Sequence, residues 1–351
     1  MTAPVLEVVA GILRDARGQV LLARRPPGRP LAGLWEFPGG KLQAGESPHA
    51  ALARELREEL DLRVAASEPL LTCRHVLPGG PVLRLHALLV TAWEGTPHAL
   101  EGQELAWLPV PALDDRPMPA PDWPIAAALR LPPRYAITPE PGDDPVAFTH
   151  RLERLLARGA QLVQLRCHSL PEADYARLAE AAARTAQRHG TDLLLNDHPA
   201  LAARLGVGLH LPSARLRAWA LGEGDPGDGR GAWLPRGGDG RIPAGATPDP
   251  AMTTPPRRRR QARGWLAASC HDAEELALAA RVGCDFVTVA PVQATASHPQ
   301  ATPLGWEGLR ALAALSGLPV YALGGLGGDD LARARACGAF GLAAIRAFWP
   351  D

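Results

Sequence analysis

With 351 residues the chain is long enough for two domains, and an apolar content of 46% suffices for large buried cores. Lys+Arg and Asp+Glu stand equal at 37 each, a balance that argues against a general nucleic-acid binder but leaves room for a local nucleotide site. The five cysteines (Cys73, Cys167, Cys270, Cys284 and Cys337) are scattered without a CxxC pair, the N-terminus has no basic start before a long apolar run, and no stretch approaches the ~20 apolar residues of a membrane helix. The expectation is a cytoplasmic protein with reduced thiols, no zinc site, no stable nucleic-acid partner and no membrane contact.

Taken in order, residues 5–13 are apolar and β-branched and read as a strand. Asp15-Ala16-Arg17-Gly18 reads as a turn, and residues 20–23 as a returning strand, so a hairpin is expected. A Pro/Gly-rich loop leads to Trp35-Glu36-Phe37-Pro38-Gly39-Gly40-Lys41. Ser47-Pro48 is a helix start, and the helix runs to about residue 60. On it Glu55, Glu58 and Glu59 fall at i, i+3 and i+4, which lines three carboxylates along one side. Like charges at that spacing repel, so a cation is expected to compensate them; magnesium suits, as a hard ion that takes oxygen ligands and shares them with phosphates. Residues 70–76, 82–93 and 105–110 read as strands and 122–131 as a closing helix, which together predict an α/β sandwich with a mixed sheet.

The same stretch matches the Nudix box, G-x5-E-x7-R-E-U-x-E-E-x-G-U with U bulky and apolar. Gly40, Glu46, Arg54, Glu55, Leu56, Glu58, Glu59 and Leu62 fit in register, while Asp61 stands where the family has glycine. Asp tolerates the left-handed conformation that ends a helix there. With Glu36-Phe37-Pro38-Gly39-Gly40-Lys41, Trp93-Glu94-Gly95 and Glu101-Gly102-Gln103, residues 4–132 resemble the MutT branch of the Nudix family, enzymes that clear oxidised guanine nucleotides. The resemblance implies hydrolysis of a nucleoside triphosphate to monophosphate and pyrophosphate, such as 8-oxo-dGTP, with Mg2+ (or Mn2+) as cofactor. It implies that Glu55, Glu58, Glu59, Glu101 and the Gly39 carbonyl hold metal. Glu55 or a neighbouring carboxylate would activate water, and Arg54 would orient Glu55 or Glu46 through a bidentate pair. Arg25 and Lys41 would face the phosphates, and Phe37 and Asp122 the base. Asp122 stands where the branch reads the base with an amide; the alternative is that it caps the closing helix.

Leu131-Pro132-Pro133 reads as a linker, and the texture then alternates between strand-like and helix-like runs. Strands are expected at residues 135–137, 162–166, 193–196, 208–211, 265–270, 286–292, 320–323 and 341–345, eight βα-type units that predict a small TIM barrel over 133–351 with ligands at the strand C-terminal ends. Those ends read Gln164-Leu165-Arg166, Asn196-Asp197, His210-Leu211, Ser269-Cys270-His271, Ala290-Pro291-Val292 with Thr295 and Ser297, and Gly324-Gly325. In that order they resemble the thiamine phosphate synthase and TenI family over residues 134–349. The resemblance implies a thiamine-pathway phosphate as ligand, with Gly324-Gly325 as its cradle. Three departures tell against synthase activity. His168 replaces a lysine, Ser297-His298-Pro299 lacks another, and the second magnesium aspartate falls in Pro212-Ser213-Ala214-Arg215, where there is no acid. His271 matches the position TenI-type tautomerases use for proton transfer. Residues 216–264, rich in Gly, Pro and charge and including Arg257-Arg258-Arg259-Arg260, read as a disordered insert.

Overall fold

The computed structural model describes residues 4–76, 80–142, 144–223, 230–233, 264–295 and 300–349. Among them the chain divides between Arg130 and Leu131 into two compact units.

In the first unit β1 (Val5–Ile12) lies parallel to β5 (Val82–Glu94), which pairs antiparallel with β4 (Arg63–Val76). A second sheet joins β2 (Val20–Arg24) antiparallel to both β3 (Trp35–Glu36) and β6 (Glu104–Leu108). The first sheet is mixed, as expected, and the second is wholly antiparallel, but the expected β1–β2 hairpin does not form. Asp15 Oδ1 accepts from the Arg17 and Gln19 amides and closes the turn, after which an isolated bridge links Arg14, beyond the end of β1, to Val20, and β1 and β2 part into different sheets. Their apolar residues satisfy partners far along the chain, which local alternation does not reveal.

Helix α1 (Pro48–Leu60) starts where Ser47 Oγ accepts from the Ala50 amide at 3.2 Å, and it ends at Asp61, whose φ of 56° is left-handed. Ala51, Leu52, Leu56 and Leu60 are fully buried against Val9, Leu13, Leu21 and Leu88. Each leucine so buried contributes roughly 1.5–3 kcal/mol, which anchors the helix and leaves its acidic flank to face the Gly39-Gly40 loop. The unit closes with α2 (Asp122–Ala128).

The second unit is a closed parallel barrel of β7 (Arg134–Ile137), β8 (Leu162–Leu165), β9 (Asp192–Asn196), β10 (Gly208–Leu211), β11 (Leu266–Cys270), β12 (Phe286–Val289), β13 (Val320–Leu323) and β14 (Gly341–Ala344). Around it stand α3 (Pro145–Ala157), α4 (Glu172–His189), α5 (Pro199–Leu205), α6 (Ser213–Leu221), α7 (Ala273–Val282), α8 (Gly305–Ala313) and α9 (Leu331–Ala336). The strands are buried on both faces, which is why they read as short apolar runs. Toward their N-terminal ends the interior is filled by Tyr135, Phe286 and Tyr321, packed edge-to-face with ring centroids 5.1–5.8 Å apart, and by Trp265.

The disorder expected over 216–264 is corrected in its first part. Leu216 and Trp219 lie on α6 without solvent exposure, and Trp233 is buried with its indole N–H donating to the Pro199 carbonyl at 3.1 Å. A few large apolar residues in a Gly/Pro-rich stretch are enough to dock it. The Arg257–Arg260 run and Ser297 lie outside the described residues. Among those described, no helix is long and apolar enough to cross a membrane, and all five cysteines are buried free thiols.

Candidate functional site

The first site forms where α1 meets the loop after β3. Gly39 has φ +150° and Gly40 lies against the helix. A side chain on the former would overlap the Val9 carbonyl, and one on the latter would fall on the Glu55 carboxylate. The glycines therefore let the loop approach the acids directly. The Pro38 and Gly40 carbonyls accept from Gly11 and Val9 of β1, while the Gly39 amide donates to the Glu59 carboxylate.

Arg54 organises the acids. Its Nε and Nη2 form a fork on the two oxygens of Glu46, both at 3.0 Å. Nη1 reaches Glu55 at 2.8 Å and Glu58 at 3.3 Å, and Nη2 also donates to the Lys41 carbonyl at 3.0 Å. The bonds from Arg54 and from the Gln43 amide hold Glu46 below the usual carboxylate range. Glu59 behaves oppositely. Burial, then the charges of Glu55, Glu101 and Glu36, push its carboxyl up to about 8. The charges that act on Glu59 are those of Glu55, Glu101 and Glu36, while Glu58 shares Arg54 Nη1 with Glu55. Residues 58 and 59 lie about 100° apart around a helix, so Glu58 turns outward and is 59% exposed.

The remaining expected residues divide. Glu101 is brought near by its loop: its amide donates to Gln103 Oε1, and Gln103 Nε2 donates to the Glu59 carbonyl at 3.0 Å. Arg25 is turned to Glu36 Oε2 at 2.7 Å and the Pro30 carbonyl, so it orients an acid rather than standing free for a phosphate. Lys41 has an exposed side chain. Phe37 is buried, so its ring belongs to the core and only its amide reaches the site, donating to Asp122 Oδ1 at 3.0 Å. Asp122 is not a cap. It sits inside the first turn of α2, and burial, then the charge of Glu36, push its carboxyl up to about 8. Reading the motifs missed Glu36 and Gln103 as site residues, although both lie in quoted stretches beside expected ones.

Among the described residues no three acidic, His or Cys side chains are already drawn into a metal cage. Magnesium does not need one, because it keeps several waters and is bound by one or two carboxylates with substrate phosphates. Acids crowded under a glycine loop fit that requirement, with a cation taking the place of the proton that burial and the neighbouring charges favour on Glu59.

The second site is a cavity of about 820 Å³ at the strand C-terminal ends of the barrel. Gln164, Arg166, Asn196, His271, Thr295, Gly324 and Gly325 all line it. Gln164 Nε2 donates to Asn196 Oδ1 at 3.4 Å. Gly324 and Gly325 both have positive φ and press on Pro291 and Ala294, so no side chain could replace either hydrogen without a clash. His271 Nδ1 lies 2.9 Å from Glu275, whose carboxylate also accepts the His271 amide and bonds to Ser213 and Arg217. Burial raises the Glu275 pKa, but the hydrogen bonds from Ser213 and His271 outweigh it and the net shift is downward. Asp197 departs from its expected place: it does not line the cavity, and Arg215 Nε donates to it at 2.7 Å. Glu275 follows His271 by four residues, across the Asp272 cap that starts α7, and lies in the first turn of that helix.

A NUDIX domain model matches residues 5–129, and a thiamine monophosphate synthase model matches residues 134–222 and 250–348. The CTP pyrophosphohydrolase of Escherichia coli is 39% identical over 36% of this chain and 91% of that one. An 8-oxo-dGTP diphosphatase of Haemophilus influenzae is 39% identical over 32% and 83%. A thiamine-phosphate synthase of Thermus thermophilus is 30% identical over 60% and 85%. Fold, acidic helix and relatives define a hydrolase of phosphoric anhydride bonds joined to an eight-stranded barrel. The chain belongs to the Nudix family through its first unit and to the thiamine monophosphate synthase family through its second.

Proposed function

We propose that the first unit is a magnesium-dependent pyrophosphohydrolase of nucleoside triphosphates, acting on 8-oxo-dGTP as a sanitiser of the nucleotide pool. The crowding of Glu36, Glu55, Glu59 and Glu101 supports it most directly, since charge held together at this cost suits a cation shared with phosphate. Glu55 and Glu59 would hold the metal with the Gly39 carbonyl; when bound, it neutralises charge developing on the phosphate oxygens. Arg54 holds Glu55 in place at 2.8 Å, so that Glu55 can take a proton from the attacking water. Arg25 keeps Glu36 oriented.

Asp122 favours a second reading beside the first. With its pKa raised to about 8 it is protonated at neutral pH, so it can donate as well as accept. A carboxylic acid can pair with the carbonyl and N–H groups of an oxidised guanine, and equally with cytosine N3 and its amino group. Together with the CTP-hydrolysing relative, this supports CTP or a modified cytidine nucleotide as the alternative. For the barrel, the Asp197–Arg215 pair and the missing second acid support a domain that binds a thiamine-pathway phosphate but has lost synthase chemistry; the His271–Glu275 pair leaves thiazole tautomerisation as its alternative.

The test is pyrophosphate release with magnesium from 8-oxo-dGTP, dGTP, CTP, ADP-ribose and thiamine diphosphate in competition. Preference for 8-oxo-dGTP supports the first reading and preference for CTP the second. Release from none of the triphosphates would refute both.

A further inference from the structure

The barrel cavity and the acidic helix are opposite in charge, and that contrast decides what the cavity can hold. The ionisable side chains lining it, among the described residues, are Arg166, His210, His271 and Arg346, with no carboxylate. Residues 296–299, which follow the lining Thr295, read Ala-Ser-His-Pro and add no acid. Asp197 follows the lining Asn196 in the chain, but its charge is met by Arg215. The other acids beside lining residues are engaged as well, Glu140 with Arg166 and the His168 and Ser169 amides and Glu275 with His271, Ser213 and Arg217, so a magnesium ion, which takes oxygen ligands, would have to displace one of these partners to reach a carboxylate. With no carboxylate lining the cavity and Asp197 held by Arg215, the magnesium implied by the synthase resemblance does not fit the described residues of this barrel.

The cavity instead carries its own positive charge. Arg346, just beyond β14, makes no ion pair among the described residues. Arg166 Nη1 stands 3.6 Å from Glu140, whose carboxylate also accepts the His168 and Ser169 amides, so only part of the Arg166 charge is answered. Gly324 and Gly325 present bare backbone to the same cavity. A phosphate monoester bears roughly one and a half to two negative charges near neutral pH, which two guanidinium groups can meet. A diphosphate bears more, and without a metal it would be left under-neutralised.

We infer that the barrel binds a small organic phosphate monoester without any divalent metal, with Arg346 and Arg166 supplying the charge that magnesium would otherwise bring. The inference rests on the reading of the barrel as a phosphate-binding domain.

The experiment is titration calorimetry on the full chain carrying Glu55→Gln and Glu59→Gln, so that the first unit does not compete for magnesium. Thiamine monophosphate and inorganic phosphate are the probes, each in magnesium and in EDTA. The expected result is a Kd that agrees within about twofold between the two conditions and weakens about tenfold or more in Arg346→Ala, as for loss of one charge-assisted contact. Arg346→Lys should fall between, because it restores charge without the planar fork. Binding that disappears in EDTA would overturn the inference while leaving the phosphate-binding reading intact. Unchanged affinity in Arg346→Ala would overturn the assignment of Arg346. Absence of heat from both probes would overturn the underlying reading and the inference with it. The comparison of magnesium with EDTA uses an unaltered barrel, so it stands even if an arginine variant folds poorly.

Discussion

Replacing Asp122 by Asn should stabilise the first unit, and by an amount that depends on pH. In the folded protein burial pushes the Asp122 carboxyl up to about 8, from an ordinary value of 3.8. A carboxyl raised in this way contributes its full stability below the ordinary value and loses it as pH rises toward 8, because the unfolded chain ionises first. Each pH unit costs about 1.4 kcal/mol, so at pH 8 the wild-type unit has given up roughly 5 kcal/mol. Asparagine is nearly the same shape, keeps an oxygen to accept the Phe37 amide, and does not ionise. The stability difference between variant and wild type should therefore be near zero at pH 4, climb by about 1.4 kcal/mol per unit, and level off near pH 8. Urea unfolding across that range measures it, with hydrogen exchange in first-unit peptides keeping the barrel's transition separate. A difference that stays flat with pH, or a variant less stable than wild type at pH 7, would refute the buried, protonated Asp122.

Three further outcomes are expected. Glu59→Gln should remove most nucleotide turnover yet leave the first unit at least as stable, since glutamine avoids the cost of a buried, ionisable carboxyl beside Glu55, Glu101 and Glu36; undiminished turnover would refute its role. His210 is wholly buried between Tyr135 and Ser269, and burial lowers its pKa to about 3 from 6.5. Its neutral form supports the barrel fully above 6.5, and that support should fade by about 1.4 kcal/mol per unit as pH drops toward 3, a slope absent from His210→Gln in acid unfolding. Trp219→Ala should destabilise the barrel by about 3–5 kcal/mol, read by thermal or urea unfolding, and an effect near zero would mean that this part of the insert does not belong to the core.

The parts that were legible in the amino-acid order share a physical origin. The box could be read because one helix turn brings Glu55 and Glu59 to one flank and sets Arg54 within reach of Glu46, Glu55 and Glu58, all within a few residues. The eight strands could be read because burial on both faces leaves compact apolar runs. What escaped depends on partners distant in sequence or on a few degrees of rotation. β1 and β2 separate because their partners β5 and β6 arrive more than 60 residues later. Glu58 shares Arg54 with Glu55 but is 59% exposed, a difference from Glu59 that spacing alone does not reveal. Asp197 kept its residue type while Arg215, eighteen positions on, took up its charge. Composition made residues 216–264 read as disordered, although two tryptophans at positions 219 and 233 are core residues.

The aromatic packing of Tyr135, Phe286, Tyr321 and Trp265 has a kinetic meaning for the barrel. It fills the barrel axis toward the strand N-terminal ends, on the side away from the cavity at the strand C-terminal ends. The packing closes the axis to any intermediate that would be handed onward along it. An occupant that leaves slowly would therefore hold off the next one at the strand C-terminal side.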